Sequence, residues 1–260
     1  MLRMNGRYLL SLAVCLSTWL ASPAALQADE ADARRILQEM SEYLDGLDGF
    51  NFGFDAEHEL VSTNGEKFGL RSSGRVVIKR PDRLYIHRHA GFSKFDFLYD
   101  GQTLAVQDSA SGLRAKEAVP DGIDGLIDEL RDTYGRPLPA ADLIVSSAYD
   151  VLMEDVTEVK DLGFGVVNGV ECDHLAFRNA QVDWQIWIAR GDAPYPCLMV
   201  ITTRDIAQAP QYRVAITSWS EDAGEIPAAL PGDAFSDTDI GTFAAEAHGF
   251  PPNYTLEDTQ

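Results

Sequence analysis

The sequence predicts a mostly β, α+β protein: an antiparallel meander with helices laid against one side. Three observations predict it. Apolar and polar residues alternate with period two through most of 50–118 and 156–220. Short turn signals cut both stretches into strands of ordinary length. Two blocks, 29–49 and 121–153, switch to helical spacing instead.

The chain opens on a secretion signal. Arg3 and Arg7 form a basic start, 8–20 is an apolar run, and Pro23 with small residues leads to Ala28. The apolar run is shorter than the roughly 20 residues that a membrane span needs. Cleavage is expected after Ala28, with Leu26 at the −3 position, or else after Ala24. Leu12-Ala13-Val14-Cys15 is a poor lipidation box, because Val14 is not small and the apolar run continues past Cys15. The expected organisation is therefore a signal peptide at 1–28, one β-rich domain at 29–220 and an acidic, Pro/Gly-rich, partly docked tail at 221–260. No second long apolar run follows, so the mature protein is expected to be soluble and periplasmic.

In 29–49, Ile36, Leu37, Met40, Tyr43, Leu44 and Leu47 fall on one stripe of an amphipathic helix. Asp29, Glu30 and Asp32 suit its start, and Gly46 and Gly49 its end. Phe50, Phe52, Phe54 and Ala56 then begin a strand with one apolar face. Asn64-Gly65 reads as a hairpin turn. The alternation resumes at Phe68, Leu70, Ser72, Gly74, Val76 and Ile78, up to Pro81-Asp82. Strands at 84–89, 92–99, 103–107 and 113–118 follow. After Pro120, Ile123, Leu126, Ile127, Leu130 and Tyr134 mark a helix, and Leu143, Ile144, Tyr149, Val151 and Leu152 one or two more. Strands return at 156–167, 170–177, 182–188, 198–204 and 212–220, with Asn168-Gly169 as one of the turns between them.

Charge narrows the partners. The chain carries 21 basic and 41 acidic residues, a net −20. Loss of Arg3 and Arg7 leaves 19 basic residues, or −22. That field repels phosphate backbones and anionic headgroups, which excludes nucleic acid and leaves room for a basic protein partner. Cys172 and Cys197 are expected to stay unbridged. In a simple meander the strand bearing Trp184 and Trp187 separates them by about 10 Å, beyond disulfide reach.

No catalytic motif is present: there is no G-x-S-x-G elbow and no phosphate loop, and Gly163, Gly165 and Gly169 lack dinucleotide spacing. His58-Glu59 lacks a second zinc-protease histidine. His87 and His89 share one strand face and could meet His58 or His174, but solvated or structurally paired histidines are the expectation, with no metal and no cofactor. The aromatic residues are more informative: Phe50, Phe52, Phe54, Phe68, Phe95, Phe97, Tyr99, Trp184, Trp187 and Trp219 all lie on predicted strands. They either fill one solid core or line a half-open sheet.

Four segments carry a family resemblance: Lys79-Arg80-Pro81-Asp82-Arg83-Leu84, Tyr99-Asp100-Gly101-Gln102-Thr103-Leu104, Asn168-Gly169-Val170-Glu171-Cys172-Asp173-His174-Leu175-Ala176-Phe177 and Val182-Asp183-Trp184-Gln185-Ile186-Trp187-Ile188. They resemble a family of predicted periplasmic proteins of unknown function with a LolA/LppX-like fold, that of lipid and lipoprotein carriers. The resemblance implies a curved, incomplete antiparallel β-barrel, with an N-terminal helix and a helical insertion covering its open side. It also implies a binding or carrier protein for a lipid, a lipoprotein acyl chain or another apolar ligand, rather than an enzyme. An interaction or envelope-stress sensor module is the alternative on the same fold. The candidate cavity wall is Phe52, Phe54, Phe68, Leu70, Val76 and Ile78. The candidate lid is Ile123, Leu126, Ile127, Leu130, Leu143 and Ile144. No catalytic residue is expected.

Overall fold

Alternating burial carries the chain through eleven antiparallel strands, and one short parallel strand joins them at an edge. In the computed structural model, which describes residues 23–132, 141–230, 232 and 235–246, these make one twelve-stranded sheet. The first meander is β1 (Gly49–Val61), β2 (Lys67–Lys79), β3 (Arg83–Ala90), β4 (Ser93–Tyr99), β5 (Thr103–Asp108) and β6 (Leu113–Ala118). The second is β7 (Glu158–Val167), β8 (Val170–Arg178), β9 (Val182–Ala189), β10 (Pro196–Thr203) and β11 (Gln211–Ser220). They join where β1 pairs antiparallel with β11, placing Phe52 opposite Trp219, Ala56 opposite Val214 and His58 opposite Tyr212. β12 (Ser236–Thr238) adds in parallel to β6. The sheet thus ends on β12 at one edge and β7 at the other, and is a large curved sheet that does not close.

Turn chemistry accounts for the hairpins. Asn168 and Gly169 take φ of 50° and 85°, the pair of positive values that a two-residue type I′ turn needs. The Asn64-Gly65 connection is longer: Ser62 and Glu66 close it by a backbone hydrogen bond of 2.8 Å, and Gly65 supplies the positive φ of 79°. At the β4–β5 turn, the Asp100 carboxylate accepts N–H groups from Gln102 and Thr103 at 3.1 and 2.8 Å. These contacts hold the carboxyl below its ordinary range, because they favour the charged form.

Helix α1 (Pro23–Asp45) starts before the expected 29 and runs unbroken past it. Its stripe is as expected: Leu37, Met40 and Leu44 are buried, while Arg34–Glu30 and Arg35–Glu39 pairs sit on the solvent face. The helix ends where the Gly46 N–H turns back to the Glu42 carbonyl at 3.0 Å. The insertion holds α2 (Gly122–Asp132), a 3₁₀ turn (Ala141–Leu143) and α3 (Ala148–Leu152). The one or two short helices expected there are two pieces, separated where Ser147 takes a left-handed φ of 54°. Two carboxylates hold the break: Asp124 accepts the Ser146 N–H at 2.8 Å, and Asp45 accepts that of Ser147. Tyr149 N–H also donates to Ser41 Oγ of α1 at 3.0 Å, which ties the insertion to the first helix.

The tail contributes to the core. After β12, α4 (Ile240–Glu246) buries Ile240 and Phe243, and the Phe243 ring meets that of Phe95 edge-on at 6.2 Å. Trp219 stitches the seam between the meanders. It stacks on Phe50 at 4.9 Å and on Tyr195 at 5.0 Å, and its Nε1 donates to Tyr43 of α1 at 3.2 Å.

Candidate functional site

Side chains alternate across a strand, so register alone decides which residues face the helices. Successive rows of that inner face can be followed across the first meander. In the first row, Phe50, Ile78, Leu84, Tyr99 and Leu104 are all fully buried. In the second, Phe52, Ile86 and Phe97 are only half-buried beside buried Val76 and Val106. The third row runs Ile216, Phe54, Gly74, Arg88 and Phe95. The fourth is a floor of small side chains, Ala56, Ser72 and Ala90, beside Val214. The fifth has half-buried Tyr212, exposed His58 and half-buried Leu70.

Element lengths explain this gradient. β1 and β2 have 13 residues each, about 43 Å at strand rise. α2 has 11 residues, about 16 Å at helical rise. A helix of that length seals one end of the strands and leaves the far rows uncovered by it.

Arg88 is the one basic side chain at an inward register position in the described strands. Its Nε donates to Ser72 Oγ at 3.0 Å, and no carboxylate among the described residues pairs with it. Asp108 shares its row two strands away, but that carboxylate already accepts the N–H groups of Lys94, Ala110 and Ser111. Burial pushes the Arg88 guanidinium below its ordinary value. Burial likewise pushes the Tyr212 hydroxyl up, and burial followed by the Arg88 charge pushes His58 down. By surface area, however, Arg88 and Tyr212 are half-buried and His58 is exposed. Both descriptions hold for groups surrounded by protein on most sides and wetted from one.

The proposed wall and lid residues divide along this gradient. Phe54, Val76 and Ile78 are buried in the main core with all six lid candidates, Ile123, Leu126, Ile127, Leu130, Leu143 and Ile144. Phe52 is half-buried against that core, and Phe68 and Leu70 are half-buried farther out on β2. Arg88, Tyr212 and His58 were not among the site residues expected from sequence. The signal for Arg88 was present: Leu84, Ile86, Arg88 and Ala90 share the apolar phase of one alternating strand.

Other polar groups have different surroundings. On the outer face, Asp96 accepts from Tyr85 at 3.0 Å and Gln107 at 3.3 Å, and contacts His87 Nδ1 at 2.7 Å. Burial and the Asp96 charge push the Tyr85 hydroxyl up to about 12. His58 lies on the opposite face of the sheet from His87 and His89, so these three cannot converge on one ion. A cleft of about 390 Å³ between α1 and the ends of β7–β9 is lined by Asp32, Arg35, Glu39, Asp161, Asp173 and Arg190. That lining suits water and ions rather than an apolar chain. Cys172 and Cys197 are free, with β9 between their strands as expected. The small Ala189 between them nevertheless lets the two thiols meet in one buried cluster.

No helix among the described residues is long and apolar enough to cross a membrane. No curated protein is similar to the chain. Many solved structures are similar in shape, three of them as follows. LprF from Mycobacterium bovis is 10% identical, with a TM-score of 0.45 over 79% of this chain and 99% of that one. The lipoprotein LppX from Mycobacterium tuberculosis is 11% identical, with a TM-score of 0.39 over 73% and 96%. MucB from Pseudomonas aeruginosa, solved in complex with MucA, is 14% identical, with a TM-score of 0.42 over 73% and 56%. Residues 33–236 match the family described as predicted periplasmic protein (DUF2092). The chain belongs to that family, and it is periplasmic.

Proposed function

We propose that this member of the periplasmic family is a binding or carrier protein for a lipid, acyl chain or other apolar ligand held on the inner face of the sheet. The observation that carries the reading is the burial gradient: Phe50, Ile78, Leu84 and Tyr99 are sealed, whereas Phe52, Ile86, Phe97 and Leu70 on the same face are half-buried. Apolar surface left open in a concave face favours an apolar occupant by about 25 cal/mol per Å² covered. Such binding is weakly directional and needs few polar groups, which suits a face on which no nucleophile and base are assembled among the described residues. Native mass spectrometry of protein isolated from its own periplasm tests this. A co-purifying lipid, or uptake of a fluorescent fatty-acid probe in vitro, is the expected result. Repeatedly empty protein that takes up no probe would refute it.

A second reading rests on the free edge of the sheet. β7 ends the sheet and exposes Leu162, Phe164 and Val166 at 50–65% of their surface. An unpaired strand edge with apolar side chains suits a protein partner that adds a strand. The acidic surface favours a basic one. Pull-downs at low and high salt separate the readings: a salt-sensitive protein partner with no bound lipid supports the module.

A further inference from the structure

The charge on the inner face is at odds with the rest of the molecule. The chain carries a net −20, and several of its outer arginines have carboxylate partners, as Arg178 has Asp183 and Arg190 has Asp173. Arg88 instead stands alone among apolar rings, with Phe54 and Phe95 in its own row and Ile86 one row nearer the sealed end. A guanidinium has five N–H donors, and the Ser72 hydroxyl takes one of them. None of the Arg88 nitrogens is a buried atom lacking a partner, so the donors that Ser72 leaves are open to solvent on the inner face. Desolvating a cation without pairing it is costly, and an arriving anion offsets that cost.

We propose that Arg88 is the head-group site of the inner face, where it pairs with the carboxylate of a free fatty acid whose chain lies over Ile86, Phe97 and Phe52. The proposal rests on the carrier reading and names its ligand class. With Nε held by Ser72, the two terminal nitrogens of the guanidinium are left for a bidentate pair with a carboxylate. Ser72 and Ala56 form a low floor beside the guanidinium, so a compact head is accommodated there. Tyr212 and His58 stand across that floor from Arg88. Both lie close enough to sense its charge. Their shifts keep Tyr212 protonated and His58 neutral near pH 7, so the site offers one positive charge to one negative head. The negative field of the whole protein weakens long-range attraction of anions, so recognition here depends on contact and resists salt.

The test compares a fluorescent fatty acid with the alcohol of the same chain, on wild type, Arg88→Met and Arg88→Lys. Wild type should bind the acid about tenfold to a hundredfold more tightly than the alcohol, the range of one charge-assisted hydrogen-bonded pair. Arg88→Met keeps the apolar stem. It should lose that preference through weaker acid binding, with alcohol binding and melting temperature unchanged. Arg88→Lys should keep part of it. Equal binding of acid and alcohol by wild type would overturn the head-group site and leave the apolar carrier standing. Binding of neither probe would overturn both. Tighter binding of phosphatidylglycerol from vesicles than of the fatty acid, lost in Arg88→Met, would overturn the assignment to a carboxylate.

Discussion

Phe54→Ala separates a packed wall from an open one. Phe54 retains 8% of its surface in the folded chain. Its ring lies over Gly74, where an added Cβ would stand 2.5 Å from Phe54 Cζ. The Phe52 ring lies 6.5 Å away on the same face. A ring so enclosed removes about 150 Å² of apolar surface from water, or about 4 kcal/mol at 25 cal/mol per Å². Truncation also leaves a cavity, and Phe→Ala changes in cores cost about 3–5 kcal/mol. For a domain of this size that is a fall in melting temperature of about 6–20 °C. Urea unfolding followed by tryptophan fluorescence reads the loss directly, since Trp184 and Trp219 lie on the same sheet. Phe97→Ala is the control: its half-buried ring faces the open rows, so it should cost less stability and more probe uptake. A loss below about 1 kcal/mol for Phe54→Ala would refute the packing argument, by the same scale.

Three further outcomes follow from other parts of the molecule. Gly74→Ala should destabilise the fold by about 1–3 kcal/mol, measured by the same unfolding, because the new methyl meets both the Phe54 ring and the His87 carbonyl. Cys172 and Cys197 should resist labelling in the native state, where both are buried and burial pushes both thiols up, and should label as two free thiols in non-reducing denaturant. Finding none would mean that the protein bridges them despite the strand between. His58 should titrate below its ordinary 6.5 by NMR, and Arg88→Met should move it back up, because the Arg88 charge is one of the two causes. The folded chain then binds that proton less readily than the unfolded one, so the group's contribution is intact above pH 6.5 and is lost as pH falls below it. His58→Gln should flatten that part of the stability profile, and an unchanged slope would count against the shift.

Much of the local structure was legible because it is encoded locally. Asn168-Gly169 specifies its turn through two residues that tolerate positive φ. The α1 stripe and the β1–β3 alternation read correctly because burial follows backbone period. A division of that block into short helices was open in the sequence, but its position at Ser147 was not legible, since it depends on Asp45 and Asp124 arriving from other elements. The β12 strand and α4 were hidden in a stretch whose composition suggested only a partly docked tail. At the site, parity placed Phe52, Phe54, Phe68, Leu70, Val76 and Ile78 on one face, and also placed Arg88 there. It did not distinguish sealed positions from open ones.

By itself, then, the sequence determined the strands of the two meanders, the first helix and the helical insertion, which residues of a strand share one face, and the acidic charge. Those properties depend on near neighbours, backbone period and composition. Only the tertiary structure decided that β1 meets β11, that Trp219 closes the seam between two meanders, and that Phe50 is sealed while Phe97 is half open. Each depends on contacts across more than a hundred residues or on how far a short helix reaches along longer strands, and no local pattern carries either distance.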